Sequence, residues 1–552
     1  MAEQSSTTAD PVGRLRDIVR AVAAELGGDG TGAAPTLERP PRAELGDYST
    51  NAAMLLAPVL GAPPREIAER LSEPLATRLG ADVERVEVAG PGFLNVFLAD
   101  AWCREGVRGI LAAGEEFGAG AAVGDRVAVE FVSANPTGPL TAAGGRHAAF
   151  GDSVARILER AGHGVERHYY LNDTGGQVVR FAQSISARMT GADPPEGGYE
   201  GAYVAELAEE LAAAGADPED LEALGRFGTG AMRERIAATL ERYGVSFDRW
   251  YSERSYQESG KMEAAIAKLR EAGHVYDSEG ATWLRTSEFG DDKDRVLVRS
   301  DGEPTYFAAD ISYHLEKSGE FDHLINVLGV DHHGYVARMR AAFGAAGADP
   351  GAFEAPMIQL VHIVEAGERA QMSKRKGEFV TLDELVDDIG VDAARWFMVQ
   401  RSNDTQIDLD LELARRQSSD NPVYYVQYAH ARIASILRKA EAETGWETSP
   451  ERIAAAAEAG LAAAAEPAER ALVKRLLAAP AEVRAAAELR APHRLGAYAT
   501  ETAADFHAFY RDCQVVGAGG ETEQARLALC VATKSVIAST LGLLGVGAPE
   551  RM

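Results

Sequence analysis

The chain has 552 residues, enough for several domains that each bury a core, and its 46% hydrophobic and 25% charged residues are ordinary for a globular protein. A net charge of −28 argues against diffuse nucleic-acid affinity, which needs Lys and Arg against phosphate, but it leaves room for a local basic groove. No apolar run reaches membrane-spanning length, the N-terminus lacks a leader pattern, and Cys103, Cys513 and Cys530 have no metal spacing, so a cytoplasmic protein without membrane contact is expected.

Residues 11–26 read as an amphipathic helix stopped at Gly27 and Gly28. Residues 46–54 are a loop running into a helix, and 86–98 hold two strand-like pieces around Gly90, Pro91 and Gly92. Together they predict an α+β domain over 1–112, and 113–125 read as a linker. A different pattern starts near Asp125. Val127, Val129 and Val132 predict a buried strand. Asn135, Pro136, Gly138 and Pro139 force a turn, and 142–158 is an Ala-rich helix. A second strand over 165–173 and a helix over 174–189 follow. This alternation predicts a parallel, doubly wound, Rossmann-like sheet with ligands at the C-terminal ends of its strands. Residues 190–245 read as a helical insertion, 248–255 lead into a helix, 281–311 look β-rich, and 324–335 form another buried strand with a polar end. From Val391 the pattern is almost wholly helical: Pro422 suits the first turn of a long helix, and 452–488 are rich in good helix formers. The expected fold class is multidomain α/β: a Rossmann-like domain at 126–410 with its insertion about 190–245, and an all-α domain at 411–552.

Three stretches carry chemistry. Strand, Gly/Pro turn and helix over 127–151 aim free backbone N–H groups where a nucleotide phosphate can bind, although an ordinary βα crossover reads the same way. Q-M-S-K-R-K-G at 371–377 suits a basic clamp on phosphates, although such loops are usually solvated surface. Asp331, His332 and His333 invite a metal, but adjacent His side chains on a strand point to opposite faces and chelate poorly, so no protein metal site is expected.

Residues 130–144, E-F-V-S-A-N-P-T-G-P-L-T-A-A-G, closely resemble the first signature of class I arginyl-tRNA synthetases. Thr141, Ala143 and Gly144 stand where that family carries the first His, the Gly and the second His of His-Ile-Gly-His. The 371–377 loop resembles the family's Lys-Met-Ser-Lys-Ser, with Lys374 kept and Gln371 and Arg375 at its ends. G-D-Y-S-T-N and G-P-G-F-L-N resemble its N-terminal tRNA-contacting domain, and the C-terminal segment down to A-P-E-R-M resembles its anticodon-binding domain.

The resemblance implies ATP-dependent activation of L-arginine and its transfer to tRNA(Arg), with Mg²⁺ accompanying ATP. It implies a catalytic role for Lys374, Thr141 and Gly144, and ATP binding by Pro136, Gly138, Thr141, Ala143, Gly144, Met372, Ser373 and Lys374. A guanidinium is a planar fork of donors that keeps its proton, so its pocket needs carboxylates. Glu130 and Asp310, placed at strand ends, are the expected ones, with Tyr306 beside the cation and Asn135 on the α-amino group. Arg146 and His147, one turn on, are candidates to compensate for the missing signature His. Tyr424, Tyr428 and His430 are candidates to contact tRNA. A monomer is expected. Two other readings stay open: a regulatory paralogue that binds arginine or tRNA, and an arginine-activating enzyme of secondary metabolism.

Overall fold

The structure is a computed structural model describing residues 10–28, 34–40, 42–330, 334–369, 380–447, 449 and 466–552. Helix α1 (Pro11–Gly27) starts with Pro at its first position, and the Asp10 carboxylate accepts from Gly13 N at 2.8 Å. It packs on α3 (Pro64–Leu79), which follows β1 (Tyr48–Thr50) and α2 (Ala52–Leu60). Strands β2 (Val83–Ala89) and β3 (Phe93–Leu98) are the two pieces expected around Gly90–Gly92, and they complete an antiparallel sheet of order β1-β3-β2. Helix α4 (Asp100–Ala113) closes this α+β unit.

Next comes the sheet that carries the site. Strand β4 (Arg126–Glu130) leads through the Gly/Pro turn into α5 (Ala142–Arg160), then β5 (Gly164–Leu171) and α6 (Gly175–Thr190). Helices α7 (Ala202–Ala213) and α8 (Leu221–Arg242) form the insertion. Strand β6 (Arg249–Ser252), α9 (Glu253–Glu258) and α10 (Lys261–Glu271) return to the sheet and lead out of it. An antiparallel ribbon of β7 (Val275–Ser278), β8 (Ala281–Leu284) and β9 (Arg295–Val298) precedes α11 (Tyr306–Lys317). Then follow β10 (His323–Asn326), β11 (Leu328–Gly329), α12 (Tyr335–Ala345) and β12 (Phe353–Glu354). The main sheet is parallel, in the order β12-β10-β4-β5-β6. The chain leaves β4 toward β5 and later comes back to β4's other side at β10. That reversal opens a crevice at the C-terminal ends of β4 and β10.

Short β13 (Met357–Ile358), β14 (Val361–Glu365) and β15 (Glu368–Arg369) precede α13 (Leu382–Val399), which is kinked at Gly390, where φ is +78°. Strand β16 (Ile407–Asp410) pairs parallel with β14, in a region expected to be helical. Its I-D-L-D alternation explains this: Ile407 and Leu409 are buried and Asp408 and Asp410 face out. Helices α14 (Leu411–Arg415), α15 (Pro422–Thr444), α16 (Pro467–Leu476), α17 (Ala479–Glu488), α18 (His493–Asp512) and α19 (Gly520–Leu543) complete the chain. Pro422 is the first residue of its helix, with Asn421 as the cap. Of the helix expected over 452–488, residues 452–465 lie outside the described residues. The β-rich reading of 281–311 holds only to Val298. From Tyr306 the chain is helix, capped by Thr305 Oγ1, which accepts from Ala308 N at 3.3 Å.

The α+β unit is seated on α16 through one buried carboxylate. Asp47 accepts from Leu98 N at 2.7 Å, Lys474 Nζ at 2.9 Å and Arg470 Nη2 at 3.1 Å. Burial alone would raise its pKa, but the two cations and the amide hold it below the usual carboxylate range. Its contribution to stability is therefore present at neutral pH and is lost as pH falls through that depressed value. Asp47→Ala strands two cations at a buried interface and should lower stability by about 3 kcal/mol, read by denaturant unfolding at pH 7. The loss should shrink in acid.

Candidate active site

The crevice at the switch point is floored by Glu130, the last residue of β4 and only 8% exposed. Its Oε2 accepts from Tyr313 Oη at 2.7 Å and from Lys317 Nζ at 2.9 Å. Burial pushes the Glu130 pKa up, but Lys317, then His314, and the two hydrogen bonds outweigh it, and the carboxyl stays below its ordinary value. Part of Glu130 is thus committed to an internal ion pair that the sequence reading did not assign.

Asp310 was expected at a strand end. It sits instead on the first turns of α11. Tyr306, Asp310, Tyr313 and Lys317 are spaced four, three and four residues apart, so they form one stripe of that helix. With Tyr313 and Lys317 held by Glu130, the stripe's other end is turned to the crevice. Asp310 is half-buried there, and burial, then repulsion from Glu130 and Glu253, pushes its pKa up to about 7, against the opposing pull of Arg338. Tyr306 is 61% exposed, and its hydroxyl lies over Gly175, where an added Cβ would approach it to 3.2 Å.

Glu253, the first residue of α9, is a third acid in this group. It is buried; Oε1 accepts from Gln257 Nε2 at 3.2 Å, and among the described residues Oε2 has no hydrogen-bond partner. Burial, then Asp173, raises its pKa. The only sequence signal for Glu253 was its place in 248–255, the segment read as leading into a helix. His314, beneath Asp310, donates from Nδ1 to the Asp310 carbonyl at 2.7 Å, which leaves Nε2 to accept from Asn326 Nδ2 at 2.8 Å. Burial lowers its pKa to about 4, so it is neutral at pH 7.

Between β4 and α5 the backbone is strained. Val132 and Ser133 have φ of +66° and +38°, which ends the strand two residues before the expected Val132. Strand β5 holds the turn: Tyr169 Oη donates to the Ala134 carbonyl at 3.0 Å, and Tyr170 N donates to Ser133 Oγ at 3.0 Å. Asn135 donates from Nδ2 to Gln177 Oε1 at 2.7 Å. Pro136 is buried, and Tyr203 from the insertion donates to the Thr137 carbonyl at 2.9 Å while lying against Gly138.

Thr141 caps α5, its Oγ1 accepting from Gly144 N at 3.3 Å. Its own hydroxyl proton remains available to a ligand at the helix N-terminus. Ala143 and Gly144 are half-buried in that first turn. Arg146 does not face a phosphate. It is fully buried and donates to the Gln359 and Ser402 carbonyls at 2.8 and 2.9 Å, with burial lowering its pKa to about 10. Met372, Ser373 and Lys374, like Asp331, His332 and His333, lie outside the described residues. The chain re-emerges at Val380, whose carbonyl accepts from Ala142 N at 2.9 Å, and Leu382 N donates to the Leu140 carbonyl at 2.8 Å. The segment following the basic loop is therefore fastened to the turn that opens α5.

On the C-terminal helices, Tyr424 and Tyr428 stack with centroids 6.2 Å apart, and the Arg432 guanidinium lies 5.1 Å from both the Tyr428 and Tyr510 rings. Tyr428 and Tyr510 are partly exposed. His430 is a correction: it is buried, with Nδ1 donating to the Pro549 carbonyl at 2.9 Å, so it builds the core rather than a tRNA surface. Arg432 and Tyr510 were not picked out in the sequence.

A parallel switch-point crevice beside a helix N-terminus, with residues 380–382 bonded to the turn that opens that helix, is the arrangement of a class I aminoacyl-tRNA synthetase core. Three family models match the chain in order: arginyl tRNA synthetase N terminal domain at 13–98, tRNA synthetases class I (R), catalytic domain at 229–434, and DALR anticodon binding domain at 426–552. The chain is 49% identical to an arginine--tRNA ligase of Frankia alni and 44% identical to one of Carboxydothermus hydrogenoformans, each over 94% of both chains. The Thermus thermophilus arginyl-tRNA synthetase superposes with a TM-score of 0.79 at 27% identity, covering 98% of this chain and 99% of that one. The chain belongs to the arginyl-tRNA synthetase family.

The acid cluster sets a pH dependence. Below about pH 7 Asp310 holds a proton and cannot take a cation's charge. Arginine affinity should therefore rise with pH, by up to about tenfold per unit below that value, and level off above it. Calorimetric titration of arginine between pH 5.5 and 8.5 checks this, and a flat profile is incompatible with a protonated Asp310.

Proposed function

We propose that this enzyme activates arginine with ATP and transfers it to tRNA(Arg), with the crevice acids receiving the guanidinium. The observation that carries this is a floor of three acids whose close ammonium partner among the described residues, Lys317, is committed to Glu130. Such a group resists full ionisation until a cation arrives. Asp310 and Glu253 supply the free carboxylate oxygens, Glu130 completes the negative field, and the exposed Tyr306 ring covers the cation. Asn135, fixed by Gln177, holds the α-amino group. That leaves the arginine carboxylate to attack the ATP α-phosphorus, with pyrophosphate leaving. A hydroxyl of the terminal tRNA ribose then attacks the acyl carbon and AMP departs.

The α5 N-terminus meets the phosphates with its dipole, the Ala143 amide and the Thr141 hydroxyl, and Pro136, Gly138, Ala143 and Gly144 shape the floor for the nucleotide. Met372, Ser373 and Lys374 are further ATP-binding residues in this reading. Mg²⁺ supplies further charge neutralisation. The crevice carboxylates are taken up by Lys317 and the substrate cation, so the ion accompanies ATP. The division into units at 1–112, 126–410 and 411–552 gives each substrate its own surface, with tRNA on the first and last. Tyr424, Tyr428, Arg432 and Tyr510 form a cation-bearing aromatic platform suited to unpaired bases. The protein works as a cytoplasmic monomer. Near-half identity to arginine--tRNA ligases over almost the full length favours this reading over the regulatory paralogue or secondary-metabolism enzyme.

The test is aminoacylation of tRNA(Arg) with labelled arginine. Asp310→Asn should raise the arginine KM and cost at least about 2 kcal/mol in kcat/KM, while the ATP KM changes little. Unchanged arginine kinetics would remove Asp310 from the pocket. Arg432→Ala should raise the tRNA KM roughly tenfold, the stacking loss of one base being about 1–3 kcal/mol, with arginine KM unaffected. An equal tRNA KM in the variant would rule the platform out.

A further inference from the structure

Helix α5 is gripped at a second point, about three turns from its N-terminus. Asp152, buried on its third turn, accepts from Arg395 Nη2 at 2.6 Å, Arg156 Nε at 2.7 Å and Arg167 Nε at 3.2 Å. Arg156 and Arg167 have further partners on the same body: Arg156 donates to the Gly244 carbonyl and Arg167 to Glu159. Arg395 is different. It comes from α13, is 0% exposed, and spends its other donors on the Leu544 carbonyl at 3.0 Å and the Tyr243 carbonyl at 3.1 Å. One guanidinium therefore joins α5, the end of the insertion, α13 and the turn that follows the last helix of the chain.

That turn is shaped to lie on the guanidinium. Gly545 has φ of +65°, and a Cβ there would come within 2.1 Å of Arg395 Nη2. A second clasp one helical turn away fixes the same turn. Asp392 Oδ1 accepts from Gly547 N at 2.8 Å, and Asp392 Oδ2 accepts from Gln427 Nε2 at 2.7 Å. Gln427 Nε2 also donates to the Gly547 carbonyl at 2.9 Å. Gln427 lies on α15, between Tyr424 and Tyr428 of the aromatic platform. At its other end α13 begins at Leu382, bonded to the turn that opens α5. So α13, bent at Gly390, reaches both ends: its segment before the bend holds the nucleotide end of α5, and its segment after the bend holds both Asp152 and the C-terminal turn.

We infer that Arg395 is a positioning residue that couples the seating of the C-terminal helices to the setting of α5, and so to nucleotide activation, without touching any substrate. The inference rests on the reading that α5 receives ATP and the C-terminal helices receive tRNA. A guanidinium is suited to this because its planar fork serves three acceptors in fixed directions; an ammonium of the same charge does not reach all three. The same buried charge explains why the elements cannot drift independently, since separating Arg395 from Asp152 leaves both uncompensated.

The experiment uses the full-length protein and three variants: Arg395→Lys, Asp392→Asn and the double change. Asp392→Asn puts an amide against Gln427 and loosens the C-terminal turn without touching α5. Aminoacylation kinetics are measured beside tRNA binding by fluorescence titration and arginine binding by calorimetry. Arg395→Lys should lower kcat at least tenfold, with both dissociation constants within about twofold of the parent. Asp392→Asn should lower kcat by a smaller factor, and the double variant should be no worse than Arg395→Lys, because both act through one turn. A kcat within twofold of the parent for the folded Arg395→Lys protein overturns the inference. So does a kcat loss matched by an equal loss of tRNA affinity, which marks a merely architectural residue, and so does strict multiplicativity in the double variant. If Arg395→Lys does not fold, Asp392→Asn decides by the same criterion of reduced kcat at unchanged tRNA affinity. A parent that fails to charge tRNA(Arg) sinks the functional reading itself; an active parent with an indifferent Arg395 sinks only the coupling.

Discussion

The buried pair of Glu130 and Lys317 organises the catalytic half of the molecule. Its 2.9 Å contact, with the Tyr313 hydroxyl alongside, fixes the rotation of α11 against β4. A helix rotated by one residue, about 100°, would carry Asp310 and Tyr306 away from the crevice. Breaking a buried pair by removing one partner costs about 3–5 kcal/mol, more than packing differences between neighbouring rotations of an amphipathic helix. The pair's contribution is geometric before it is energetic. It holds two charges out of water so that a third group, Asp310, can be left without a full counter-charge.

In the proposed arginine site, that shortage of positive charge is the working condition. Burial, and then repulsion from Glu130 and Glu253, keeps Asp310 near its titration point in the absence of ligand, against the pull of Arg338. A fixed protein cation close enough to quench all three acids would stabilise the empty enzyme and compete with arginine. Lys317 avoids this by being bound to Glu130 and by sitting seven residues beyond Asp310 on the helix, about two turns away. Neutral His314, held by the Asp310 carbonyl and Asn326, adds no charge. Aromatic rings pack around Tyr313, with the Tyr170 and Tyr251 centroids 4.9 and 5.0 Å away, and line the floor with low-dielectric surface. Electrostatic discrimination for a permanently charged fork is stronger there than in water.

Much of this was legible in the sequence, and the failures have local causes. The β4–turn–α5 unit showed because β-branched residues, turn formers and Ala-rich helix formers follow one another without ambiguity. Helix α11 was hidden because Y-F-A-A-D-I-S-Y-H mixes aromatic and apolar residues that also suit strands, and it follows a true β ribbon. Read at period 3.6 instead of 2, its stripe from Tyr306 to Lys317 would have placed Asp310 correctly. Strand β16 was missed for the opposite reason, four alternating residues among long helices. Arg146 and His430 show the limit of residue type as a guide. Each lies beside a motif, yet the tertiary structure buries both against backbone carbonyls that no local pattern announces. Arg395 was unreadable for the same reason, since its partners are far away in sequence.

The altered first signature fits this picture. At the N-terminus of a helix the backbone amides already present positive potential to a phosphate, so a signature side chain adds to a field that exists without it. Thr141 also serves as the cap of α5, a task that favours Thr and that a His performs poorly. In this chain the Gly144 amide is bonded to Thr141, which caps the first turn. The residues that do the ordering elsewhere, Val380 at the same turn and Asp152 further along α5, are backbone and buried charge rather than signature side chains. Catalysis by preorganised dipoles depends on how firmly those dipoles are held more than on any single donor. In this chain the holding is distributed over α13, β5 and the C-terminal turn, and that distribution makes the tolerance of Thr141 and Ala143 physically reasonable.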